Sequence, residues 1–199
     1  AIIKELQKNN IKLSHIDIGG GLGIPYDNEK SPDKSLFISE IVDLLKPLAT
    51  KILIEPGRSI VGEAGLLVSK VINTKKSTSK NFIIVDAGMT DLLRPPLYSA
   101  YHSIKEVFYT DVSKALCDVV GPVCETADFI GKDRNLALSK GDYIAVESVG
   151  AYGFALSSNY NTRMKSAEYL IVKDSGDIRK IRDRDTIEQI LENETKYLL

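Results

Sequence analysis

The sequence predicts an α/β segment over residues 1–65, then an all-β domain with a terminal helix over residues 66–199. Three observations carry this reading. Up to residue 65, helix-period runs alternate with short strand-like runs, the rhythm of a parallel sheet with crossover helices. Beyond Gly65, runs rich in β-branched and aromatic residues dominate. Two turn segments, Gly19-Gly20-Gly21 and Glu55-Pro56-Gly57-Arg58, each close a strand-like run. In (β/α)8 barrels the loops after the last strands often hold phosphate groups. The first segment therefore reads as the last strands and helices of a TIM-like barrel. The second reads as a β-sandwich or β-barrel-like domain.

Each element has its own signal. Residues 1–9 set Ile2, Ile3 and Leu6 at helical spacing. A short strand follows at 13–18. Residues 37–49 predict a helix, with Phe37, Ile41, Leu44, Leu45 and Leu48 apolar and Ser35 as N-cap. The next strand is 51–54. In the second region, 66–73, 81–85, 115–120, 142–148 and 168–172 read as strands. The polar stretch 74–80 reads as a turn or mobile loop. Asp174-Ser175-Gly176-Asp177 reads as a hairpin turn between 169–173 and 178–182. Residues 185–194 close the chain as a helix, with Ile187, Ile190 and Leu191 expected inward. An α-β-α-β unit leaves apolar faces and sheet edges open. The chain is therefore expected to be the C-terminal half of a longer one.

Composition excludes several function classes. The chain has 199 residues and a formal net charge of −1, which offers no electrostatic footprint for nucleic acid or an anionic membrane. No apolar run reaches the length of a bilayer span. Residues 1–10 read as an amphipathic helix rather than a signal peptide. Cys117 and Cys124 read as reduced thiols of a cytoplasmic protein. No metal site is expected.

The chemistry concentrates in a few motifs. Successive glycine amides at Gly19, Gly20 and Gly21 can form a concave nest for a phosphate, although a flexible turn has the same composition. Glu55 stands at a predicted strand's C-terminal end, where barrel active sites lie. Arg58, three residues on, suits a phosphate or carboxylate, and a surface ion pair is the plainer alternative. Arg94 and Tyr98 are one helical turn apart and together suit a carboxylate. Cys124 has Glu125 beside it, whereas Cys117 has no such context and reads as structural.

Taken together, the motifs resemble the fold-type III pyridoxal-phosphate-dependent decarboxylases, and most closely their diaminopimelate branch. The carrying residues begin with His15-Ile-Asp-Ile-Gly-Gly-Gly-Leu-Gly-Ile-Pro25, Glu55-Pro-Gly-Arg-Ser59 and Asp86-Ala-Gly-Met-Thr-Asp-Leu-Leu-Arg-Pro95. They continue with Leu97-Tyr-Ser-Ala-Tyr-His102, Gly121-Pro-Val-Cys-Glu-Thr-Ala-Asp128 and Gly150-Ala-Tyr-Gly153. All six run in family order. The resemblance implies pyridoxal 5'-phosphate as cofactor, its phosphate held by Gly19, Gly20 and Gly21 with Gly57, Arg58 and Tyr152. It implies that Glu55 keeps the cofactor's ring nitrogen protonated. Arg58, Arg94, Tyr98, Glu125 and Tyr152 would contact the amino-acid substrate, and Cys124 would be the proton donor. His102 matches a family Tyr-His pair without an assigned role.

The implied activity is decarboxylation of meso-2,6-diaminopimelate to L-lysine, by a homodimer whose Cys124 and Glu125 cross the interface into composite sites. Ornithine, arginine or carboxynorspermidine decarboxylation is the alternative within the fold type. A non-catalytic homologue that binds a partner is the alternative outside it. The family's Schiff-base lysine and ring-stacking histidine have no counterpart among these residues. His15 lies too close to the glycine run, Lys51 precedes a strand, and Lys70 falls within the β domain. The chain by itself is therefore expected to be inactive.

Overall fold

The computed structural model describes residues 2–27, 29–48, 51–109 and 111–198. Ala1 and Ala49, the outer ends of two predicted helices, lie outside the described residues.

The first region is a small open unit. Helix α1 (Ile2–Lys8) precedes strand β1 (His15–Asp17), and helix α2 (Lys34–Leu45) precedes strand β2 (Lys51–Leu53). The strands pair in parallel, with Ile16 opposite Ile52. The cap of α2 is Asp33, not Ser35: the Asp33 carboxylate accepts from the Ser35 and Leu36 amides. An ionised carboxylate is the stronger acceptor for these orphan N–H groups. A short helix α3 (Arg58–Val61) and a 3-10 turn then lead into the second region.

That region is built on one six-stranded sheet. Its strands are β3 (Leu67–Lys76), β4 (Asn81–Val85), β5 (Ile104–Glu106), β6 (Ala115–Val120), β7 (Phe129–Leu136) and β8 (Tyr143–Val146). The spatial order is β5-β8-β3-β4-β6-β7. Strand β3 pairs with β8 through Leu67–Lys70 and with β4 from Val71 onward, with a register shift between Val71 and Asn73. Bulges of this kind bend a sheet. The two end strands accordingly meet: the Ala137 amide, just past β7, donates to Glu106 of β5 at 2.9 Å. The sheet is curled and barrel-like, and the two-sheet sandwich form of the expectation is not observed. Val71, Val85, Val119, Ile130, Ile144 and Val146 fill its interior with no measurable exposure.

Two strands escape the sequence reading. β7 contains Gly131, charged residues and Asp133 at φ +55°, so its period of two is broken. β5 has only three residues. The predicted loop at 74–80 is shorter than expected. β3 runs to Lys76, opposite Asn81, because ladder pairing with β4 satisfies its backbone whatever its polar side chains prefer.

Strands β4 and β6 are parallel, and so need a long crossover. That crossover carries helix α4 (Arg94–Tyr98) and β5. The hairpin of β9 (Glu168–Ile171) and β10 (Ile178–Arg182) stands apart as its own two-stranded sheet. Helix α5 (Ile187–Thr195) ends the described elements, with a Thr186/Gln189 capping box. None of its residues is buried, and Ile187 and Leu191 are exposed rather than inward. Among the described residues no helix is long and apolar enough to cross a membrane.

Candidate active site

The parallel pairing of β1 and β2 brings their C-terminal ends side by side. The Ile18 amide donates to the Leu53 carbonyl at 3.1 Å, and the Glu55 amide to the Gly19 carbonyl at 2.8 Å. Asp17 fastens the turn by accepting from the Gly19 amide at 2.8 Å. The glycines are required for two different reasons. Gly19 and Gly21 have φ of +70° and +80°, where other L residues are strained. Gly20 faces the Glu55 carbonyl oxygen, which a Cβ would approach to 2.6 Å.

A third segment arrives from far along the chain. The Val149 amide donates to the Gly65 carbonyl at 3.1 Å and the Gly150 amide to the Gly62 carbonyl at 3.0 Å. These bonds dock the loop carrying Tyr152 against the end of α3. Tyr152 adopts φ +60°, a left-handed conformation that costs a non-glycine residue roughly 1 kcal/mol or more. The three segments enclose a cavity of about 440 Å³ lined by Gly20, Gly21, Leu22, Glu55, Pro56, Gly57, Arg58, Ser59 and Tyr152.

The lining has the chemistry of one end of pyridoxal phosphate. Glycine amides, a guanidinium and a phenol hydroxyl suit a phosphate, and the Glu55 carboxylate suits a protonated ring nitrogen. The would-be Cβ positions of Gly19, Gly21 and Gly57 meet nothing within 4 Å, so the backbone there is open to close approach. The residues present therefore fit the group.

Arg94 lies outside this cavity but is linked to it. Its side chain is buried at the start of α4, and its Nη1 lies 3.0 Å from His102 Nε2. The Tyr26 ring stands between the arginines, 4.6 Å from the Arg94 guanidinium and 5.9 Å from that of Arg58. Tyr98 closes the same helical turn but is 66% exposed, so the two predicted partners face different surroundings. Burial pushes the His102 imidazole below its ordinary pKa of 6.5; the Arg94 and Arg134 charges push the same way, against the Glu147 carbonyl.

Cys124 and Glu125 sit on a separate, exposed loop. Asp128 shapes that loop. Its buried carboxylate accepts from the Met89 amide and the Val123 amide, each at 2.6 Å. Glu125 receives the Tyr160 hydroxyl at 2.5 Å, and that bond to the carboxylate holds the phenol proton and raises its pKa. Cys117, by contrast, is buried in the sheet core, and burial raises its thiol pKa. Both cysteines are free. A second cavity of about 440 Å³ lies between β3 and residues 162–166 and contains none of the predicted residues. Within its lining Arg163 lies 3.9 Å from Asp91, and the same guanidinium donates to Thr90 Oγ1 at 3.1 Å.

Six of the predicted residues thus share one cavity: Gly20, Gly21, Glu55, Gly57, Arg58 and Tyr152. Gly19 shapes its rim, while Arg94, Tyr98, Cys124 and Glu125 lie outside it. Sequence reasoning missed Tyr26, Tyr160 and the ordering role of Asp128. Tyr26 follows Gly21 by five residues, in the extension of the glycine motif, which was its only signal.

Comparison with known proteins agrees with this geometry. Residues 16–150 match the family model described as pyridoxal-dependent decarboxylase, C-terminal sheet domain. The diaminopimelate decarboxylase of Neisseria meningitidis serogroup B is 44% identical over 197 residues, 99% of this chain and 47% of that protein. The diaminopimelate decarboxylase of Haemophilus influenzae is 46% identical over 191 residues, 95% of this chain and 46% of that protein. The crystal structure of the Helicobacter pylori diaminopimelate decarboxylase complexed with L-lysine superposes with a TM-score of 0.88 at 43% identity, covering 99% of this chain and 48% of that one. The chain spans about half the length of the curated relatives it matches. A curled β domain in family order, with glycine, Glu-Pro-Gly-Arg and Gly-Ala-Tyr-Gly segments converging on one cavity, places the chain in the pyridoxal-dependent decarboxylase family.

Proposed function

We propose that this chain supplies the C-terminal half of a decarboxylase that converts meso-2,6-diaminopimelate to L-lysine and CO2 with pyridoxal 5'-phosphate. The observation that carries this is the convergence of Gly20, Gly21, Glu55, Gly57, Arg58 and Tyr152, from three distant segments, on one cavity. The relatives' names and the bound L-lysine of the Helicobacter pylori structure support the substrate and product.

When bound, pyridoxal phosphate supplies an electron sink for the pair left behind by CO2. The amides of Gly20 and Gly21 would donate to its phosphate together with Arg58 and the Tyr152 hydroxyl, while Gly19, whose own amide is taken by Asp17, would shape the turn that presents them. Glu55 accepts from the ring nitrogen and holds the proton there. Arg94, Tyr98 and Arg58 bind substrate carboxylate, and Glu125 takes the distal ammonium. Cys124 gives a proton to the carbon that has lost CO2.

Residues 1–65 act as the last strands and helices of a (β/α)8 barrel. The open edges of the β1–β2 pair and the exposed Leu36, Val42 and Leu44 of α2 support cover by further barrel elements. Residues 66–199 act as the β domain. Cys124 and Glu125 serve the site of a second copy, so the working unit is a homodimer. Their exposure, away from the cavity of their own chain, supports this. The two free thiols support a reducing, cytoplasmic setting.

The test is CO2 release by the full-length, cofactor-loaded enzyme from meso-diaminopimelate, ornithine and arginine side by side. Release from diaminopimelate with lysine formed is expected. Release from ornithine or arginine instead overturns the substrate, and no release with no cofactor bound overturns the enzyme reading. Mixing inactive Cys124→Ala with an inactive variant lacking the cofactor-binding lysine should restore partial activity; no restoration counts against shared sites.

A further inference from the structure

His102 is the most deeply buried ionisable side chain beside the proposed substrate groups, with no measurable exposure. Its two ring nitrogens have different partners. Nδ1 lies 2.9 Å from the Glu147 carbonyl, which can only accept, so Nδ1 carries the proton. Nε2 lies 3.0 Å from Arg94 Nη1, which can only donate, so Nε2 is bare and accepts. One neutral tautomer satisfies both bonds. The Tyr26 ring completes the arrangement. It packs edge-on against His102, with centroids 5.0 Å apart at 76°, and presents its face to Arg94 at 4.6 Å.

Several other cations in this chain are held by carboxylates: Lys80 by Asp118, Lys105 by Glu147, Arg182 by Glu168. Among the described residues no carboxylate forms an ion pair with Arg94. A carboxylate would fix the guanidinium but also neutralise it. A neutral imidazole and an aromatic face fix its direction and leave its charge available to an anion.

We infer that His102 and Tyr26 are positioning residues that clamp Arg94 from two sides without quenching its charge, so that it meets the substrate carboxylate in one orientation. This rests on the proposed role of Arg94 as carboxylate binder. Because Tyr26 follows the glycine turn and also reaches Arg58 at 5.9 Å, the clamp ties the substrate arginine to the phosphate end of the cavity.

The test uses the full-length, cofactor-loaded enzyme and meso-diaminopimelate. His102→Asn keeps a donor for Glu147 but loses the acceptor for Arg94, whereas His102→Gln restores an acceptor near the Nε2 position. His102→Asn is expected to raise KM roughly tenfold or more, the size of a lost bond to a charged group, with kcat within about twofold. His102→Gln is expected to recover most of that loss. Tyr26→Leu should raise KM severalfold, and Tyr26→Phe, which keeps the ring, should recover it. A cofactor-loaded His102→Asn enzyme with wild-type KM overturns the clamp, as does a His102→Gln enzyme impaired as much as His102→Asn. If His102→Asn fails to load cofactor, the Tyr26 pair decides, and equal KM for Leu and Phe overturns the inference. Arg94→Ala separates the two levels. Wild-type KM there removes Arg94 from substrate binding, whereas a raised KM beside a normal His102→Asn removes only the clamp.

Discussion

Among the described residues from Ile2 to Ala64 one hydrophobic side chain, Ile24, is buried; the rest of the buried hydrophobic core lies between Val71 and Ala151. The two regions carry similar apolar patterns but spend them differently. The curled sheet turns one face of every strand onto a common interior. Among the described residues the β1–β2 pair with its helices has no second layer to close it, and Leu36, Val42 and Leu44 of α2 remain exposed. The whole chain exposes 13643 Å², where a compact chain of this length exposes roughly 9,300 Å². The difference teaches that the two regions contribute different things to the cavity. The second region supplies a frame with its own core. The first region supplies loops whose geometry is local and whose helices stay largely exposed.

The sharpest way to break this comparison is to remove matched side chains from each region. Ile144→Ala, in the sheet core, should cost about 2–5 kcal/mol. Leu36→Ala, on α2, should stay within about 0.5 kcal/mol. Urea unfolding of the 199-residue chain measures both, and equal costs would erase the distinction. Glu55→Gln moves the question to chemistry. In the full-length enzyme it should lower kcat about a hundredfold while cofactor absorbance is retained, and unchanged turnover would remove Glu55 from its proposed role. Asp128→Ala leaves two amides of the frame without acceptors and should cost about 1–3 kcal/mol by the same unfolding assay. Asp33→Ala, on the open side, should cost about 1 kcal/mol by losing the α2 cap, seen as reduced helical circular dichroism.

The smallest effect is a slope. The folded His102 binds its proton less readily than the unfolded one, whose pKa is near 6.5. Its neutral form therefore contributes stability that is present above pH 6.5 and lost as pH falls through that value toward the lower folded pKa. Thermal midpoints of wild type should fall across that window, and those of His102→Gln should fall less. Parallel slopes would show that His102 does not govern the acid limb.

Much of this architecture was legible from local pattern. Strands β4, β6 and β10 were read at their observed bounds, because short runs with β-branched residues between turn residues declare themselves without neighbours. The glycine turn and the Glu-Pro-Gly-Arg turn were legible for the same reason: φ +70° at Gly19 is a local demand that only certain residues meet. Strand β7 was not legible, since Gly131 and a left-handed Asp133 break its alternation and pairing with β6 holds it in place. The clamp on Arg94 was also hidden. Tyr26 and His102 are far apart in sequence, and their segments meet through tertiary contacts, among them the docking of the Val149 and Gly150 amides onto Gly65 and Gly62.

The sequence alone determined which residues could do chemistry and where the backbone had to turn, because both follow from side-chain type and short-range sterics. Only the tertiary structure decided which of them meet. It closed Gly20, Glu55, Arg58 and Tyr152 around one cavity, left Cys124 and Glu125 facing outward, and buried Arg94 against a neutral imidazole. Those outcomes depend on sheet curl and long-range packing, which bring together residues that no local pattern connects.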